Sequence, residues 1–156
     1  MARVRIVCAS AVLAALLAGA GSLQAAAVPT KASWAASANR ICKRYLTQAS
    51  ALPEPTGNKI SPSVIRFFEQ MLSFRVSMDR ALAQIPRPAD KKGLIRLYLV
   101  YESEQTAARK QVVAALKRGN LKRARQIDAH RSSQGPRASF AAFVLGAHLC
   151  QETVIG

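Results

Sequence analysis

The stretch Ser37–Leu46, "SANRICKRYL", decides how the rest of the chain is read. It carries Cys42 inside a strongly basic run, and around it Trp34, Ala38, Ile41, Cys42, Tyr45, Ala49 and Leu52 recur at intervals of three and four. That spacing predicts a helix from Ser33 to Leu52 with one buried stripe, and Cys42 lies on the stripe. The cysteine that can meet it is Cys150, in "GAHLCQ" near the other end of the chain.

The third cysteine, Cys8, belongs to a beginning of different character. "MARVR" is basic and free of acid, "IVCASAVLAALLAGA" is apolar, and "SLQAAA" offers small residues before Val28, which together make a secretory signal peptide cleaved after Ala27. The apolar run falls short of the about 20 residues a bilayer span needs, which argues against an uncleaved anchor. Arg5, Ile6 and Val7 precede Cys8 and the apolar run comes after it, the wrong order for a lipidated cysteine, and there is no twin-arginine pair. The expected organisation is a signal peptide over 1–27 and a single domain over 28–156, exported to the periplasm, cell wall or medium and without a membrane span after cleavage.

Cleavage leaves Cys42 and Cys150, and an even count in an oxidising compartment reads as one disulfide, the alternative being two free thiols. No CxxC, no CxxCH and no four-ligand zinc set is present, so neither redox exchange, haem attachment nor a structural metal is indicated. A bond closing so long a loop would stabilise the fold by several kcal/mol through the unfolded chain. Charge is the other strong signal. The sequence holds 23 Lys and Arg against 8 Asp and Glu, a net +15, of which only Arg3 and Arg5 lie in the signal segment. Such an excess favours anionic partners: nucleic acid, lipid headgroups or acidic envelope polymers.

The remaining pattern is helical. "LPEPTGNKISP" is the longest loop, and Ser61 before Pro62 makes a good helix start, a hydroxyl to cap free amides and a proline at the first helical position. Phe67, Met71, Phe74, Met78, Ala81 and Ile85 then mark an inward stripe up to "IPRP". Asp90 is the expected cap of a third helix running to Arg118, with Leu94, Leu97, Tyr98, Tyr101, Ala108, Val112 and Leu116 inward. Gly119 suits a left-handed helix end and Asn120 can cap the next helix. In the last segment Leu121, Ala124 and Ile127 are the apolar side, Gly135 and Pro136 interrupt, and Phe140, Phe143, Ala147 and Cys150 resume one inward face. The expected fold is all-α: an up-down-up-down four-helix bundle with a kinked or broken last helix, its first and fourth helices stapled by Cys42–Cys150.

These residues resemble a group of small exported bacterial proteins that begin with "A-[DN]-x-I-C" and end with "A-x-x-L-G-x-x-x-C". The matching positions here are Ala38, Asn39, Ile41 and Cys42, then Ala142, Leu145, Gly146 and Cys150. The resemblance implies an exported helical bundle with a terminal disulfide and carries no activity with it. Gly146 fits a close helix approach beside the cysteines.

Few residues point to chemistry. The acids are scattered, and Glu102 and Glu104, two apart on a helix, look to different faces. The only histidines, His130 and His148, sit in no nucleophile motif and supply no clear metal or haem set, so no catalytic residue, metal or cofactor is expected. His148 is expected to be partly buried or a cap, and His130 solvated. The sharper feature is "RKQVVAALKRGNLKRARQIDAHR", in which Lys117, Arg118, Lys122, Arg123 and Arg125 gather about one turn as a candidate anion-binding cluster, against the plain alternative of a solvated basic face. Without an aromatic in that stretch to stack a base, nucleic acid is the weaker partner, and lipid headgroups or envelope polymers the better ones. A membrane-surface helix would need large apolar residues, and Leu121, Ala124 and Ile127 are too few. The competing expectation is a small enzyme or ligand carrier with a pocket between the helices near Tyr98, Tyr101, Glu102 and Glu104.

Overall fold

The computed structural model describes residues 28–55 and 59–155, and the expected signal peptide over 1–27 lies outside them. The described residues form five α-helices: α1 Lys31–Ser50, α2 Pro62–Ala83, α3 Lys92–Lys117, α4 Leu121–Leu145 and α5 His148–Ile155. No helix among them is long and apolar enough to cross a membrane.

Local chemistry sets the ends. Thr30 and Ser33 form a reciprocal capping box at α1, so the helix begins at Lys31, two residues ahead of the expected Ser33. Ser61 takes the Val64 amide at 3.3 Å with Pro62 in the first turn of α2, as expected. Asp90 does not cap α3. It lies in a 3-10 turn, Ala89–Lys91, and pairs with Lys91 at 3.2 Å, so the helix starts at Lys92 without a side-chain cap. Gly119 is left-handed at φ 71°, and Asn120 accepts the Arg123 amide at 2.9 Å, which closes the tight turn into α4.

The helices meet in a ring. α1 packs on α2 and α5, α2 also on α3, α3 on α4, and α4 on α5. The sequence places the fourth long helix beside α1, but the principal partner of α1 at that side is the short α5. The reason is where the chain breaks. α4 continues through Gly135 and Pro136 and stops at Gly146, which is left-handed at φ 80°, so the residues carrying Cys150 turn back as a separate helix. Cys42 and Cys150 stand at disulfide distance, 5.2 Å between Cα atoms across 108 residues of sequence.

The main core joins Trp34, Ala38 and Cys42 of α1 to Met78 and Leu82, Ile95 and Tyr98, Ala141, Ala142 and Leu145, with Cys150 of α5. Trp34 meets Tyr98 edge-on at 6.0 Å. The expected stripe of α2 holds in large part: Met78 and Ile85 are buried and Met71 and Phe74 pack against the main core, while Phe67 is half-buried and Val64, Arg75 and Leu82 are buried beside them. The expected stripe of the last segment is out of phase. In α4 the buried residues are Ala124, Arg131, Gly135, Ala138, Ala141, Ala142 and Leu145, and Phe140 and Phe143, assigned inward from the sequence, face solvent. Small residues let α4 approach its neighbours closely, and that choice turns the large aromatics outward. Leu97 of α3 is likewise exposed rather than inward.

Candidate functional site

Two clusters of polar residues stand out, one inside and one at an end. The inner one centres on Arg75 of α2, whose side chain is 0% exposed beside Glu102 of α3 at 1%. Arg75 Nη2 donates to Glu102 Oε2, and Nη1 donates to the Thr153 carbonyl of α5 at 2.8 Å. Its Nε lies 3.6 Å from Asp79 Oδ1, and its guanidinium carbon stands 5.8 Å from the centre of the Tyr45 ring of α1. One cation thus touches four helices. Thr106 donates to Asp79 at 2.5 Å, and a second group links α3 to α4, where Gln105 Nε2 donates to the Arg131 carbonyl at 3.3 Å and Arg131 Nε donates to Asp128 at 2.9 Å.

Burial dominates the electrostatics. It raises Glu102 to about 6, the Arg75 charge only partly offsetting the loss of water. Burial also raises Asp79, against the pull of Arg75 and the Thr106 hydroxyl. For Arg75 itself burial works downward, and Glu102 with Asp79 outweighs it, so the guanidinium stays charged. Burial lifts Tyr98 well above an ordinary phenol, Glu102 adding to it, and pushes Arg109 down to about 10. Of the four residues expected to line a pocket between helices, Tyr98 and Glu102 belong to this packed interior, Tyr101 is half-buried, and Glu104 is exposed on another face. A carboxyl held near 6 could exchange a proton, but 1% exposure leaves no surface for a substrate to meet it.

The end cluster is basic. Lys117, Arg118, Lys122, Arg123 and Arg125 are all exposed, and the turn at Gly119 and Asn120 brings the first four to one end of the molecule. Arg125 lies a turn further along α4, on a cavity of about 230 Å³ lined also by Lys59, Val64, Phe68 and Leu116. Among the described residues, only Lys117 of the five is paired with a carboxylate, Glu69 of α2 at 2.5 Å. The histidines are both exposed. His130 is as expected, whereas His148 is not part of the core and instead sets its ring 5.8 Å from Phe143. No group of three or more His, Cys, Asp or Glu among the described residues could hold a metal ion.

The residues of the two terminal motifs converge. Asn39 Nδ2 donates to the Gly146 carbonyl at 3.1 Å, and its Oδ1 accepts the Leu149 amide at 3.0 Å, so one side chain of α1 bridges the break and caps α5. Gly146 comes within reach of Ala35, whose Cβ would stand 3.5 Å from a Cβ placed there. Sequence reasoning misses this bridge because an asparagine, unlike one of two cysteines, does not name its partner, and these lie 107 and 110 residues away. It misses Arg75 because a lone arginine on a helix reads as surface. No protein-family model, curated protein or solved structure matches the chain.

Proposed function

We propose that the chain is an exported, disulfide-stapled helical protein of the cell envelope or the surrounding medium, acting by binding rather than catalysis. Its four long helices run up-down-up-down, with α5 folded back to close the ring. Its working surface is the basic end, where Lys117, Arg118, Lys122, Arg123 and Arg125 contact an anionic partner. The observation that carries the reading is the gathering of four exposed cations around one turn, with Arg125 a helical turn further along α4, and a single carboxylate paired to the five among the described residues. The inner cluster serves the fold: it ties Tyr45, Asp79, Glu102 and the Thr153 carbonyl to one arginine.

Polyphosphate is a suitable probe because it offers charge without a base to stack or an acyl chain to bury. Affinity should fall steeply as salt rises, and the triple variant K122E/R123E/R125E should bind about tenfold or more weakly with its helical content intact. Binding indifferent to salt and to the triple variant would remove the basic end from the function.

A further inference from the structure

We propose that the outward face of α4 docks on an anionic lipid bilayer, an inference that rests on the basic-end reading and selects lipid from among its anionic partners. Steps of three and four along the helix place Lys122, Arg125, Ala129, Ser133, Pro136, Phe140 and Phe143 on one face, and every one of them is exposed. The opposite face, Ala124, Arg131, Gly135, Ala138, Ala142 and Leu145, is buried against the rest of the molecule.

That outer face has two halves. The half nearer the basic turn presents Lys122 and Arg125. The other presents Phe140 at 68% exposure and Phe143 at 58%, beside a shallow groove of about 640 Å³ lined also by Pro136, Ser139 and Gln151. Aromatics left this bare are a standing cost in water unless something covers them. No carboxylate interrupts the face, since the one acid of α4, Asp128, is half-buried and paired with Arg131. Cations succeeded by large apolar side chains on one side of a continuous helix are what an interfacial helix needs: the charges hold lipid phosphates while the rings enter the boundary between headgroups and acyl chains. A polyanion in solution would use Lys122 and Arg125 and leave the two phenylalanines wet. The bilayer accounts for both halves.

The test compares purified wild type, F140S/F143S, K122E/R125E and F140W in the same N-terminal form. The partners are vesicles of phosphatidylcholine alone, vesicles of phosphatidylcholine with phosphatidylglycerol, and polyphosphate. Trp34, the only native tryptophan, is buried and gives a constant background. The proposal expects binding to the phosphatidylglycerol vesicles only, a blue shift and loss of iodide quenching for F140W on those vesicles, and weakening by about tenfold or more in F140S/F143S. Polyphosphate binding should be unchanged in F140S/F143S and weakened in K122E/R125E.

Unchanged vesicle binding in F140S/F143S, with loss in K122E/R125E, would overturn the bilayer docking and leave the basic-end reading standing. Vesicle binding that ignores K122E/R125E, together with no polyphosphate binding, would overturn both. An F140W indole already shielded from iodide without vesicles, or a wild-type dimer that F140S/F143S makes monomeric, would overturn the docking by showing that protein covers this face.

Discussion

Arg75 and Glu102, on neighbouring helices, form an ion pair that neither shares with solvent, and the two members are not equivalent. Arg75 also holds Asp79 and the Thr153 carbonyl, whereas burial raises Glu102 to about 6, so its carboxylate is held less favourably than a free one while still charged at neutral pH. Truncating Arg75 leaves a carboxylate stranded in the core, and Arg75→Met should lower stability by about 3–5 kcal/mol at neutral pH. Glu102→Gln keeps an oxygen for the guanidinium and leaves Asp79 to balance the charge, so it should cost about 1 kcal/mol. Chemical denaturation of the two variants reads the asymmetry, and equal losses would refute it.

The same pair sets a pH dependence. The folded pKa of Glu102, about 6, lies above its ordinary 4.5, so its contribution to stability is fully present below about 4.5 and is lost as pH rises through 6. Asp79 is shifted in the same direction. The stability difference between wild type and Glu102→Gln should therefore move by about 2 kcal/mol in favour of wild type between pH 7 and pH 4.5. Urea midpoints at the two pH values measure it, and a difference independent of pH would show that Glu102 is not held up by burial.

Asn39 gives a third test. Asn39→Ala removes both bonds across the break and should cost about 1–3 kcal/mol. Asn39→Asp keeps the acceptor for the Leu149 amide and puts a negative charge at the start of α5, but loses the donor to Gly146, so its loss should be the smaller one. Hydrogen exchange should show the effect concentrated in α5.

Glycines separate backbone from space. Gly146 is left-handed, with only ordinary contact awaiting a Cβ, so Gly146→Ala should cost about 1–2 kcal/mol through the backbone alone. Gly93 lies in the first turn of α3 with nothing within 4 Å of a Cβ. Gly93→Ala should raise the melting temperature slightly, by up to about 1 kcal/mol of stability. Thermal melts of the pair settle both signs.

Local chemistry is the part of this fold that the sequence makes legible. Cys42 lies on the buried stripe of α1, Ser61–Pro62 starts α2, and Gly119–Asn120 makes the turn into α4, because caps and left-handed glycines act over a few residues. Tertiary competition hides the rest. Pro136 does not break α4, since it sits on the solvent side, where the Ser132 carbonyl it deprives of a donor can turn to water. Reading size as inwardness misplaces Phe140 and Phe143. The signal that corrects it is the row of small residues Gly135, Ala138 and Ala142 at helical spacing, which marks a close approach. Of the candidate site, the five cations are legible in the sequence, but Glu69 beside Lys117 requires knowing that α2 runs past the end of α3.

The position of Cys150 on α5, beyond the break at Gly146, makes closure of the ring the most non-local step of folding. Each other helix packs on its neighbour in the chain, whereas α1 and α5 bring together residues 108 apart in sequence, a contact that rewards the chain only after the entropy of closing so long a loop has been lost. The seam between α1 and α5 is therefore expected to form late, after the pairs of helices adjacent in the chain have met.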